Sequence, residues 1–285
     1  MRFLIVISLT LLLFACAATD IPDAKNGTAP SSIICIALAD SLWSLRADSA
    51  NAIRALQTYI QLATMDSSSI EVWSKLSRAY YFVGQYLTPK VALRDSLFIS
   101  GYEASQAILN QNSKYRNLLF STGDERIAVR GLDLSAIDAL YWGMANYGQW
   151  LATKGTLVRL GQRELIWTTL EHIKELDSTY YFGAYSRFKG ALMARDPMTA
   201  IDTLAIRNAF ETAIQIAPNY LGNYTLMARH YCPLTGDKNL FYQLLTLVIN
   251  SKINPSLSYY PENVYEQGLA KRLIVTSEKE KWFKR

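Results

Sequence analysis

Apolar residues spaced three and four apart recur along nearly the whole chain after residue 33, and no stretch sustains the apolar/polar alternation of a half-buried strand. A chain patterned in this way can only bury its stripes by packing helix against helix. From Glu71 to Val83, residues Val72, Trp73, Leu76, Ala79, Tyr80 and Val83 fall on one stripe, with Ser69 placed to cap the start and Gly84 to end it. From Ile206 to Ile216, residues Ala209, Phe210, Ala213, Ile214 and Ile216 face inward and Pro218 follows the end. Half of the residues are hydrophobic and 19% are charged, which is enough apolar material for a core and excludes a disordered chain. The expected fold class is all-α.

The helices also share a register. With Trp73 as a first large aromatic, Leu76, Ser77 and Tyr80 take the remaining packing positions of a first helix, and Ala55, Tyr59 and Leu62 those of the preceding second helix. The same pattern returns near the C-terminus: Phe210, Ala213 and Pro218 close one unit and Tyr224, Met227, Ala228 and Tyr231 open the next. This is the spacing of the tetratricopeptide hairpin, in which small residues let helices approach and aromatics fill the gaps between pairs. The expectation is a tetratricopeptide-like helical-hairpin solenoid forming one compact domain over residues 33–285, with insertions near 86–97, 113–133 and 195–203. The concave face of such a solenoid is by default a binding surface rather than a catalytic one.

The first residues read as an address. Met1 and Arg2 precede an apolar run of about a dozen residues, shorter than the roughly 20 that a spanning helix needs, and the run ends at Ala15-Cys16. Leu13, Ala15 and Cys16 resemble the bacterial lipobox, although Phe14 departs from the small or β-branched residue usual there. Residues 1–15 are therefore expected to be a lipoprotein signal peptide and Cys16 a lipidated cysteine that anchors the chain to a membrane through acyl groups. Residues 16–32 are small, polar and proline-punctuated, as in a flexible tether. Cys35 and Cys232 remain, either as a disulfide or as two buried thiols.

The net charge of +5 follows the same division. Arg2 and the last fifteen residues account for all of it, leaving 22 basic and 22 acidic residues between. Nucleic acid tracks a concentrated basic surface, and the body of this chain offers none, so no nucleic-acid partner is expected.

Signs of chemistry are sparse. Neither of the two histidines has a partner four residues away in a His-Glu-x-x-His arrangement. His172 reads as part of a solvated helix face and His230 as a packed histidine near a helix end. Asp124 and Glu125 fall where a loop and its turn explain them. The chain has no Gly-rich phosphate loop and no Gly-x-Ser-x-Gly elbow, so neither an enzyme nor a cofactor or metal is expected. The positive anomaly is aromatic: 18 Tyr and 6 Trp, clustered at 80–82, 141–150, 180–185 and 259–265. Most belong to the core, and the rest suit an amphipathic cavity or a partner-facing patch.

From about residue 134 onward the chain resembles the T component of tripartite ATP-independent periplasmic (TRAP) transporters, the TatT-type lipoproteins. The residues that carry the resemblance are Ala139-Leu140-Tyr141-Trp142 on a helix running to Trp150, then Leu176 to Gly183 leading to Arg187 and Gly190. Phe210 to Leu221, Gly236 to Phe241 with Leu244, Leu245 and Val248, and finally Pro261-Glu262 with Ala270-Lys271-Arg272 complete it. Where the family tends to have a Gly-Gly-Pro turn, this chain has Gly183-Ala184-Tyr185. The resemblance implies a lipid-anchored helical scaffold of the cell envelope, facing the periplasm. It would pair with a periplasmic substrate-binding protein, associate with itself, and help deliver a small, hydrophobic carboxylate to a permease. Tyr141, Trp142, Tyr181, Tyr185 and Arg187 are the candidates for a cavity wall or partner face. Arg187 is the candidate carboxylate partner because its guanidinium fork can hold one bidentately, against the plain alternative of an exposed helix arginine. Two other readings stand beside this one: a general tetratricopeptide adaptor in envelope assembly, and a helical envelope enzyme with a polar cluster deep in its cavity.

Overall fold

A computed structural model describes residues 35–283 apart from 197 and 199. The signal segment, Cys16 and the tether lie outside the described residues. Thirteen α-helices and no strand occur among those residues. In chain order they are α1 (Ile36–Ser44), α2 (Ser49–Met65), α3 (Ile70–Phe82), α4 (Val91–Leu109), α5 (Ser113–Thr122), α6 (Glu125–Arg130) and α7 (Ile137–Leu151). They continue with α8 (Thr156–Leu176), α9 (Tyr180–Met193), α10 (Thr203–Ile216), α11 (Gly222–Thr235), α12 (Lys238–Asn250) and α13 (Tyr260–Lys279).

The ends of these helices follow from local chemistry. The Ser69 hydroxyl accepts from the Val72 amide at 3.3 Å, and the carboxylates of Asp48, Asp202 and Asp237 cap α2, α10 and α12 in the same way. Pro261 opens α13, where its missing amide proton costs nothing.

Three sequence expectations change here. Gly84 does not end α3; the chain passes into a π turn, Val83–Leu87, in which Gly84 lies so close to Phe98 that a Cβ would sit 2.8 Å from its ring. Most of the expected insertion at 86–97 is therefore helix, since α4 starts at Val91. Asp124 and Glu125 are also not mere turn residues, because Asp124 caps α6 and Glu125 is its first residue.

Successive helices pack in order from α1 to α4. After α4 the array skips: α4 packs on α7, while α5 and α6 form an inserted pair, with α6 resting on α8. From α7 to α13 each helix again packs on the next. Contacts also join α3 to α7, α9 to α11 and α11 to α13, the pattern of stacked hairpins in which one helix of each pair forms an inner layer. The α4–α7 crossing is close because Gly101 and Gly143 present no side chains there. Between them, Ser77 Oγ donates to the Gly101 carbonyl at 2.7 Å, and the buried Asn146 amide donates to the carbonyls of Ser77 (3.0 Å) and Trp142 (2.9 Å).

The two ends of the array meet. Arg46, just after α1, and Arg78 on α3 both donate to Glu262 on α13. The Tyr265 hydroxyl donates to the Ala47 carbonyl at 3.2 Å, and the Tyr86 hydroxyl donates to Glu266 at 2.6 Å. The last helix thus joins the α1–α2 connection, α3 and the π turn through polar side chains. Cys35 and Cys232 are both free thiols, and burial drives Cys232 up to about 12.

Candidate functional site

The inner-layer helices α3, α7, α9, α11 and α13 surround a central cavity. Tyr81, Phe82 and Tyr86 wall one side and Tyr141 and Trp142 the next, with Tyr181, Phe188 and Tyr220 opposite. The rings touch in series: Tyr81 to Trp142 at 5.6 Å, Trp142 to Tyr181 at 4.8 Å and Tyr141 to Tyr181 at 4.9 Å between centroids. Burial pushes the hydroxyls of Tyr81, Tyr141, Tyr181 and Tyr220 up from the ordinary phenol value, so they stay protonated and act as neutral hydrogen-bonding groups.

Five charged residues sit among these rings: Arg78, Arg187, Arg229, Glu262 and Glu266. Glu262, 3% exposed, takes the guanidinium of Arg46 on both oxygens, at 3.0 and 2.7 Å, and that of Arg78 at 3.1 Å. Among the described residues Glu266 has no ion pair; it accepts hydrogen bonds from the hydroxyls of Thr225 and Tyr86. Burial raises its carboxyl above the usual range, and those two bonds and the charge of Arg187 draw it only part of the way back. Arg229 is exposed.

Arg187 is different. It is 4% exposed, which removes the alternative of an exposed helix arginine, and it makes no ion pair among the described residues. Its guanidinium donates to the carbonyls of Tyr181 (2.8 Å) and Phe182 (3.1 Å) and to the Tyr141 hydroxyl (2.6 Å). The rings of Tyr220, Phe188, Tyr181 and Tyr141 lie 5.1–5.9 Å from it, within range of cation–π attraction.

The two carbonyls belong to an unusual stretch. Tyr181 (φ 42), Phe182 (φ 61) and Gly183 (φ 80) are consecutive residues in the left-handed region. Two of them carry large side chains, for which that conformation costs roughly 1–2 kcal/mol each. Arg187 offsets this cost by binding the turn's carbonyls, and Gly183 allows the turn to press against Ala213, where a Cβ would lie 3.1 Å from its Cα. The left-handed turn places the Tyr181 ring in the cavity wall.

Of the residues singled out in the sequence, Tyr141, Trp142, Tyr181 and Arg187 line the cavity together. Tyr185 does not. Two positions from Arg187 it faces another side of α9, where its hydroxyl donates to Glu171 on α8 at 2.9 Å. Sequence reasoning missed Arg78, Tyr220, Glu262 and Glu266. The one available signal was Glu262 itself, an acid set among Tyr259, Tyr260 and Pro261. His172 is also not solvated: it is 6% exposed, with Nε2 2.9 Å from the Leu132 carbonyl and Nδ1 3.0 Å from Glu175, because α8 buries that face against α6 and its neighbours. His230 is half-buried on α11.

Among the described residues, no helix is long and apolar enough to cross a membrane, and no three His, Cys, Asp or Glu side chains gather as a metal site requires. No curated protein sequence matches the chain. A family model, the TRAP transporter T-component, matches residues 94–283, about two thirds of the chain, from the first turn of α4 through α13. The match starts before residue 134 and takes in the inserted α5–α6 pair, and it shows that the chain belongs to the TRAP transporter T-component family.

Proposed function

We propose that this protein is the lipid-anchored, periplasm-facing T component of a TRAP-type transporter. In this role it is a tetratricopeptide-like scaffold that docks a substrate-binding protein, and its central cavity passes on a small, hydrophobic carboxylate. The observation that carries the ligand reading is Arg187: a buried guanidinium with no ion pair among the described residues, set in a cavity of aromatic rings. Buried charges are ordinarily paired. A ligand carboxylate would complete Arg187 by replacing the Tyr141 hydroxyl or one of the two backbone carbonyls, while the rings of Tyr141, Trp142 and Tyr181 take its apolar part. No bond is made or broken in this role.

The test is affinity capture with the mature chain from its own membranes. A substrate-binding protein should co-purify. Recovery of outer-membrane assembly machinery, or of unrelated proteins only, refutes the transport role, the first of these favouring a general adaptor. Cys16→Ser should release the chain from membranes, and unchanged membrane association refutes lipidation. Arg187→Gln should lose binding of a probe such as hexanoate while keeping the captured partner.

A further inference from the structure

A second, smaller cavity lies between α4, α6, α7 and α8 and shares no lining residue with the central one. Its floor is apolar, formed in part by the buried side chains of Leu109, Leu140 and Ile166. Its polar end holds Glu125. One carboxylate oxygen, Oε1, accepts from the Tyr115 hydroxyl at 3.0 Å and from Gln106 Nε2 at 3.1 Å. Among the described residues the other, Oε2, has no hydrogen bond and Glu125 has no ion pair. Gln106 Nε2 also donates to the Tyr102 hydroxyl at 2.9 Å, which ties the carboxylate to that ring.

Tyr102 is the end of a stack. It lies 4.4 Å from Tyr147 at an interplanar angle of 20°, and Tyr147 lies 5.6 Å from Trp150 at 12°. At the far end of this stack the Lys154 ammonium sits 4.5 Å from the Trp150 ring centre and 2.8 Å from the Asp95 carboxylate. That end therefore contains three parts: a ring, a carboxylate and an ammonium held by both. The Tyr102 end repeats the ring and the carboxylate, and among the described residues no cation supplies the third. An aromatic ring and a carboxylate that line one cavity, with no cation beside them among the described residues, are recognition elements for an ammonium group.

We propose that the second cavity binds an amphipathic organic ammonium, with its charged head between Glu125 Oε2 and the Tyr102 ring and its short alkyl chain over Leu109, Leu140 and Ile166. This site does not depend on the transport reading, because it shares neither residues nor ligand charge with the central cavity.

The experiment is isothermal titration of the mature chain with hexylammonium, and with 1-hexanol and hexanoate as neutral and anionic matches. Hexylammonium should bind saturably with one site, and hexanol roughly tenfold more weakly or less. Glu125→Gln keeps an oxygen for Tyr115 and removes the charge, so it should weaken hexylammonium roughly tenfold at an unchanged melting temperature. Tyr102→Leu, which keeps Glu125, should weaken it too, and decides the matter if Glu125→Gln unfolds. Arg187→Gln should leave hexylammonium binding intact. Three results overturn the proposal: no saturable hexylammonium binding by the unaltered chain, hexanol binding as tightly as hexylammonium, or undiminished binding by the folded Glu125 and Tyr102 variants.

Discussion

Glu262→Gln is the sharpest test of how the helical array is held together. The substitution keeps the side chain's size and removes its charge from between two guanidiniums. Arg46, whose side chain is 5% exposed, now bonds both oxygens, at 3.0 and 2.7 Å, and Arg78, 27% exposed, bonds one at 3.1 Å; the variant leaves a single neutral amide oxygen for the two guanidiniums to share and turns an NH2 toward them in place of the other. Breaking a buried pair by removing one partner costs roughly 3–5 kcal/mol, because the remaining charge stays buried without compensation. Two features place this case at the lower end. Arg46 keeps the carbonyls of Trp43 (3.1 Å) and Ser258 (2.7 Å) as acceptors, and Arg78 can turn toward water. The expected loss is therefore about 3 kcal/mol, or about 6–12 °C in melting temperature for a chain of this size. Urea unfolding followed by circular dichroism measures it, with the midpoint falling at constant slope. A second measurement isolates the pair: Arg46→Met combined with Glu262→Leu removes both buried charges and should recover much of the loss, giving a coupling above about 1 kcal/mol. A loss below about 1 kcal/mol in the single variant, or no coupling in the double one, would falsify the view that this contact holds the ends of the array together.

Two further perturbations test the helix packing. Burial first, and the charges of Arg229 and Arg195 after it, hold His230 down at about 3 against an ordinary 6.5. The unfolded chain takes up that proton first, so the contribution is complete above about 6.5 and is lost as pH falls toward 3. Urea midpoints between pH 7 and 4 should decline less steeply in His230→Gln than in the unaltered chain, and parallel slopes would contradict the assignment. Gly101→Ala would place a Cβ 2.4–2.6 Å from the side-chain atoms of the fully buried Asn146 and drive it off the carbonyls of Ser77 and Trp142. Overpacking and the lost bonds together should cost about 2–4 kcal/mol. Gly148→Ala, on the facing helix α7, meets nothing within 4 Å and is the control, so equal unfolding midpoints for the two variants would refute the close-packing account.

Local signals in the sequence carried most of the helix pattern. The Ser69 cap, the stripe from Val72 to Ala79 and the stop before Pro218 each depend on residues within one or two turns, and each is where the periodicity puts it. The insertion at 113–133 was visible as a break in register, and it is the α5–α6 pair. The features that were not visible depend on distant partners. Nothing near Tyr181 and Phe182 favours the left-handed region; it is imposed by Arg187 and by the approach of Gly183 to Ala213. The same holds for the cavity. Tyr141, Trp142, Tyr181 and Arg187 were singled out within one stretch of chain, whereas Arg78 and Glu262, which complete the wall, stand 184 residues apart and meet only because α13 returns to α3. Tyr185 was misplaced because aromatic clustering in sequence says nothing about which side of a helix each ring takes.

The contact between Arg46 and Glu262 spans 216 residues, and this sets a timetable. A row of stacked hairpins ordinarily consolidates pair by pair as the chain emerges, each pair needing only its neighbour. Here the first helices cannot complete their polar contacts until the last one exists. At roughly 5–20 residues per second, Arg46 waits on the order of 10–40 s after its own synthesis before Glu262 is made. During that interval Arg46 and Arg78 have no carboxylate at hand and the inner wall stands open to water. The ring of helices is therefore a late product of the chain, and a truncation that removes α13 leaves the opening helices unfinished as surely as one that removes the helices themselves.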